Sequence, residues 1–63
     1  MASWIDWAIF VVEIIIIIIK KLPKMGYEAA RALAFGTVAE RHSLTLDDLE
    51  AHCGDKIDAH FGK

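Results

Sequence analysis

The stretch Trp-Ile-Asp-Trp-Ala-Ile-Phe-Val-Val-Glu-Ile-Ile-Ile-Ile-Ile-Ile-Lys-Lys-Leu occupies residues 4–22 and decides how the rest of the chain is interpreted. It contains six consecutive isoleucines and is apolar on nearly every side, whereas a helix on a water-exposed surface has a polar face. Its length is close to the ~20 residues that cross the hydrocarbon core at about 1.5 Å per residue. We therefore predict an all-α protein in which residues 4–22 form a single-pass transmembrane helix.

Basic residues follow the apolar stretch and do not precede it. The positive-inside rule then places residues 1–3 on the non-cytoplasmic side and residues 27–63 in the cytoplasm, most simply at a bacterial inner membrane. The lack of a basic residue before the stretch, and of small residues after it, argues against a cleaved signal peptide. Aromatic and basic side chains are typical of the two membrane interfaces. The predicted interface residues are Trp4, Trp7, Lys20, Lys21 and Lys24.

Residues 23–26 read as a basic linker that contains Pro23 and Gly26. Proline disfavours helical geometry at the preceding residue and removes one backbone donor, so we expect the first helix to end at Leu22. Gly26 then permits a change of direction.

Two acids, Asp6 and Glu13, lie within the predicted span. Asp6, Glu13 and Lys20 are seven residues apart, nearly two helical turns, and therefore share one face. A charged side chain at mid-membrane costs about 2.5–3.5 kcal/mol on insertion scales. We expect Glu13, with Asp6, to face a partner helix, a water-filled cavity or a polar group of a host complex. The alternative is a protonated Glu13 bonded to nearby backbone with no further role.

The tail after residue 26 reads as two short amphipathic helices. Residues 27–42 are dense in good helix formers, and Glu28 can pair with Arg31 one turn later. Thr45 is a candidate N-cap for a helix over residues 46–61, with Asp48 at the capping-box position. This helix has one apolar stripe, predicted to pack on the first tail helix or on a partner. The stripe consists of Leu46, Leu49, Cys53, Ile57 and Phe61.

Composition and motifs exclude several functions. The net charge of −2 is too small to indicate a nucleic-acid partner. The acids Asp47, Asp48 and Glu50 on the last helix would repel phosphates, so we predict no such partner. His52, Cys53 and His60 match no standard zinc spacing. No nucleophile–base pair, phosphate loop or dinucleotide motif is present in the sequence. We predict no enzyme activity, no metal and no cofactor.

A chain of 63 residues forms only a marginal core in water, so stability should come from lipid, copies of the chain or a larger partner. We therefore predict a non-catalytic accessory or structural subunit of a larger integral membrane complex of respiratory, photosynthetic or transport type. One alternative is self-assembly into a ring or pore, as in a small channel, holin or membrane-active toxin. Another is a structural membrane protein of a viral shell. A buried strand also remains open for the isoleucine run, because β-branched residues favour strands.

Overall fold

The computed structural model describes residues 4–63, and every regular element in this range is helical. Helix α1 (Trp4–Arg41) is followed by α2 (Leu46–Leu49), a π-helical segment (Glu50–Gly54) and α3 (Asp55–His60). The last three follow one another without a break and form one helical rod, here called the C-terminal rod (residues 46–60). The all-α prediction is confirmed. The predicted non-cytoplasmic flank, residues 1–3, lies outside the described residues.

Gly26 divides α1 into two arms. Its backbone has φ 79° and ψ 168°, a combination that is essentially restricted to glycine. We call residues 4–25 the N-terminal arm and residues 27–41 the C-terminal arm. The expectation that the first helix ends at Leu22 is wrong, because helix continues through Pro23 and the interruption falls three residues later. Proline removes one backbone hydrogen bond, whereas only the glycine reverses the chain.

A tight turn connects the C-terminal arm to the C-terminal rod. Ser43 has φ 57°, and the amide of Leu44 donates to the carbonyl of Ala39 at 2.8 Å. Thr45 is extended (φ −83°, ψ 152°), and its hydroxyl accepts a hydrogen bond from the amide of Asp48 at 3.1 Å. The predicted N-cap at Thr45 is therefore confirmed, and it fixes where the rod begins.

The core lies where the two arms of α1 and the C-terminal rod meet. The N-terminal arm contributes residues four apart, which lie on one helical face. The C-terminal arm contributes mainly small side chains, so the helices approach closely, and the rod contributes a stripe of three fully buried residues. The buried apolar residues are Phe10, Ile14, Ile18, Ala30, Ala34, Phe35, Val38, Ala39, Leu49, Cys53 and Ile57.

One side of the apolar N-terminal arm is thus buried in the core of the protein. Ile14 and Ile18 have no exposed surface, and Phe10 is 7% exposed. Within residues 4–63, no helix combines the length and the apolar character needed to cross a membrane. The prediction of a transmembrane helix over residues 4–22 is therefore not supported by the fold.

The opposite side of the N-terminal arm is exposed. Ile5, Ile9, Val12, Ile16 and Ile19 form one stripe along the N-terminal arm, and each keeps 47–55% of its surface exposed. They lie on the side of the helix opposite Phe10, Ile14 and Ile18, as their spacing on a 3.6-residue turn requires. We call these five residues the outward face.

Candidate docking surface and the contacts that position it

Glu13 is held by the side chains of Arg41, the last residue of α1, and His42, which follows it. Its carboxylate accepts a hydrogen bond from Nη1 of Arg41 at 2.5 Å, and its other oxygen lies 2.9 Å from Nε2 of His42. The side chain of Glu13 is 22% exposed, against 53% for Arg41. These contacts join the middle of the N-terminal arm to the end of the C-terminal arm, so they fix the direction in which the outward face points.

The surroundings favour the ionised form of Glu13. Partial burial acts to raise the pKa of its carboxyl, but hydrogen bonds from Arg41 and His42, with the attraction of their charges, lower that pKa below its ordinary value. From the sequence we expect Glu13 to face a partner helix, a water-filled cavity or a polar group of a host complex. Within this chain that partner is Arg41 together with His42.

A ladder of rings continues from this cluster across the N-terminal arm. Phe10 lies against His42 with ring centroids 4.4 Å apart, and Trp7 meets Phe10 edge-on at 5.4 Å. The far side of Trp7 stacks on His52 of the C-terminal rod at 4.0 Å and 18°. Aromatic pairs at such separations stabilise beyond their buried area. The ladder therefore fastens the N-terminal arm to both other helical segments.

Arg31 makes the second group of ion pairs, which joins the C-terminal arm to the C-terminal rod. Its Nη1 and Nη2 donate to the two carboxylate oxygens of Glu50 at 2.5 and 2.8 Å. Its Nε donates to Oδ1 of Asp58 at 2.8 Å, and the hydroxyl of Tyr27 donates to the same oxygen at 2.6 Å. The guanidinium also lies over the ring of Phe35 at 4.4 Å. A bidentate pair of this kind fixes geometry as well as charge.

Arg31 stabilises the ionised form of both acids in this network, although the two carboxylates repel each other. The hydrogen bond from Arg31 lowers the pKa of both Glu50 and Asp58, while burial opposes this at each carboxyl. Burial, and then the hydrogen bond to Asp58, raise the pKa of the Tyr27 phenol. The network thus locks the C-terminal arm to the C-terminal rod.

The π-helical segment and Gly54 belong to the same network. A Cβ at residue 54 would come into close contact with Oε1 of Glu50, and would also lie 3.3 Å from Nη2 of Arg31. Glycine is otherwise unfavourable inside a helix by about 1 kcal/mol relative to alanine. Its presence here is explained by the space that the Arg31–Glu50 pair occupies.

A groove of about 590 Å³ runs beside this network. Its lining includes Tyr27, Arg31, Phe35, Glu50 and Asp58. The guanidinium is already paired with both carboxylates, so the groove presents no free charge of Arg31 to a ligand. No set of three or more His, Cys, Asp or Glu among residues 4–63 is arranged to hold a metal ion.

The residues predicted from the sequence for helix packing occupy different environments. Leu49 and Ile57 are fully buried, and Phe61 packs on the core and against Tyr27 at 5.4 Å between ring centroids. Leu46 is 55% exposed at the start of the rod. Asp6 is half-buried, on the same side of the arm as Glu13.

The predicted interface residues lie at the two ends of the N-terminal arm. Trp4 is 78% exposed, whereas Trp7 is half-buried in the ring ladder. Lys20 and Lys24 are exposed and Lys21 is half-buried. None of the three lysines forms an ion pair with another residue of the range 4–63.

No family model matches the chain, and neither the curated proteins nor the solved structures contain a match to it.

Sequence reasoning missed both ion-pair networks. Arg31 was expected to pair with Glu28, one turn away, but pairs with residues 19 and 27 positions further along the chain. No local sequence pattern predicts that Arg41 and His42 contact Glu13, which lies 28 and 29 positions earlier in the chain. The one available signal was the cost of an acid in an apolar stretch, which requires a partner somewhere.

Proposed function

We propose that the protein is a non-catalytic structural subunit that assembles with other proteins by packing the outward face of α1 against an apolar helix. The observation that carries this proposal is the stripe of five half-exposed branched side chains. The two arms of α1 form a hairpin that holds this stripe in place through charged and aromatic contacts. Contiguous apolar surface of this kind is typical of an interaction site.

The polar groups of the chain support a structural role. Arg31, Glu50, Asp58 and Tyr27 bond to one another, and Glu13 bonds to Arg41 and His42. Among the described residues, no buried side-chain nitrogen or oxygen lacks a hydrogen-bond partner. Such groups hold helices together, whereas a catalytic site needs a nucleophile, acid or base directed at a substrate.

Amine-specific cross-linking in the cells that make the protein tests the proposal. Lys20 and Lys24 flank the outward face and are exposed, so they should cross-link to another protein chain or to a second copy. The double variant Ile9→Glu, Ile16→Glu should lose these cross-links. The control variant Ala29→Glu, Ala59→Glu adds the same charge at exposed positions elsewhere and should retain them. Absence of protein cross-links from the wild type would contradict the proposal.

Association with a lipid bilayer is a second candidate function. Trp4 is largely exposed at one end of the outward face, and Lys20 and Lys24 lie at the other. An apolar helical face with tryptophan and flanking lysines is typical of helices that bind anionic membrane surfaces. The single-pass arrangement of residues 4–22, with the tail in the cytoplasm, belongs to this candidate. Flotation with anionic vesicles tests binding to the membrane surface. Protection of residues 27–63 from protease added outside intact cells tests the single-pass arrangement.

A further inference from the structure

We infer that the helix which packs on the outward face is the same helix of a second copy of this chain, running in the opposite direction. The inference rests on the proposed function and names the partner for the surface described there.

The spacing of the outward face fits a paired helix. Ile5, Ile9, Val12, Ile16 and Ile19 alternate four and three residues apart, an average of 3.5. This period keeps a stripe facing a partner helix over several turns, as in a coiled coil, whereas a period of 3.6 drifts around the helix. All five side chains are branched at Cβ and have few rotamers to lose on association.

The charges beside the stripe select the antiparallel orientation. Asp6 and Lys20 lie on the same flank of the arm, seven residues before and seven residues after Glu13. A two-fold axis that passes beside Val12 and Glu13 brings Asp6 of each copy opposite Lys20 of the other, so that two ion pairs form. A parallel pair would instead place Asp6 level with Asp6 and Lys20 level with Lys20.

Glu13 lies at this axis, where two copies of it would approach each other. Arg41 and His42 bind its carboxylate within each chain, so the two acids do not meet as bare charges. The ion cluster that closes the hairpin therefore also permits the antiparallel contact.

Sedimentation equilibrium of the purified full chain in detergent-free buffer tests self-association. At about 100 μM, above the Kd expected of a short interface, the wild type should have twice the 7.0 kDa monomer mass. Ile9→Glu, Ile16→Glu should be monomeric with unchanged helicity by circular dichroism, and Ala29→Glu, Ala59→Glu should be dimeric. A monomeric wild type would overturn the inference.

Charge exchange tests the orientation. Asp6→Lys and Lys20→Asp should each raise the dimer Kd about tenfold, because each replaces two attractions by two repulsions. The double exchange Asp6→Lys, Lys20→Asp should restore the wild-type Kd in an antiparallel dimer. If the double variant is weaker than both single variants, the antiparallel assignment is wrong.

Different results would overturn the docking function and the second copy as its partner. A monomeric purified chain that still cross-links through Lys20 to a different protein in cells overturns the second copy as partner and leaves the docking function standing. A monomeric chain that yields no protein cross-links and floats with vesicles overturns both and favours the bilayer.

Discussion

Glu13 and Arg41 are 28 positions apart in the chain, yet their side chains meet at 2.5 Å. The contact joins the centre of an isoleucine-rich helix to the last residue of α1, and His42 completes it. It requires the chain to reverse at Gly26. The fold of this protein is therefore a hairpin, and the apolar stretch has one side inside the core and one side outside.

We expect Glu13→Gln to lower the free energy of unfolding by about 0.5–1 kcal/mol at pH 7, a modest value because Arg41 is largely exposed. The pKa of Glu13 is lowered from 4.5, so its stabilisation is present above that value and is lost as pH falls through the lowered pKa. Urea unfolding at pH 7 and at pH 3 checks both statements. Glu28→Gln, at an exposed position, is the control, and an equal effect of both variants would contradict the assignment.

Arg31→Met should destabilise the protein by about 2 kcal/mol, because two carboxylates that now share one cation would be left facing each other. Arg41→Met removes a cation of greater exposure, 53% against 19%, and should cost less than about 1 kcal/mol. Thermal and urea unfolding of both variants measure the difference. Equal losses would show that the Arg31 network has no special role in stability.

Gly26→Ala should destabilise the hairpin by about 2 kcal/mol, since alanine does not adopt φ 79° with ψ 168° without strain. Gly36→Ala is the matched control, because Gly36 is inside a helix with no atom within 4 Å of an added Cβ. That control should stabilise the protein by up to about 1 kcal/mol. The account of the reversal at residue 26 fails if both substitutions stabilise equally.

Gly54→Ala tests the space around the Arg31–Glu50 pair. Helix propensity alone would make this substitution stabilising, as at Gly36. The added Cβ displaces the Glu50 carboxylate from Arg31, so we expect Gly54→Ala to be about 1 kcal/mol less stable than Gly36→Ala. Urea unfolding of both variants measures this difference, and equal free energies of unfolding would contradict the expectation.

Local features of the fold could be predicted from the sequence, and long-range ones could not. The cap at Thr45 and the buried stripe of Leu49, Cys53 and Ile57 follow from spacing within one helix. The packing of residues 4–22 could not be predicted in the same way, because isoleucine occurs on both sides of that helix. Which side is covered depends on the contacts of Glu13 and Trp7 with residues at least 28 positions away.

The docking surface was likewise only partly predictable. An apolar stretch with flanking lysines indicated contact with lipid or another helix, and Asp6, Glu13 and Lys20 were placed on one face. The division into an inner side with Phe10 and an outward side with Ile9 requires the tertiary structure, since a helical wheel of this stretch has no polar half.

The central claim is that the apolar N-terminal arm folds back on the C-terminal rod, and contact between Trp7 and His52 tests it most directly. Nuclear Overhauser effects measured on isotope-labelled protein in detergent-free buffer should connect the indole of Trp7 to the imidazole of His52, whose ring centroids are 4.0 Å apart. Phe10 should show the same effect with His42. Their absence, in a protein whose C-terminal rod is nevertheless helical, would contradict the account.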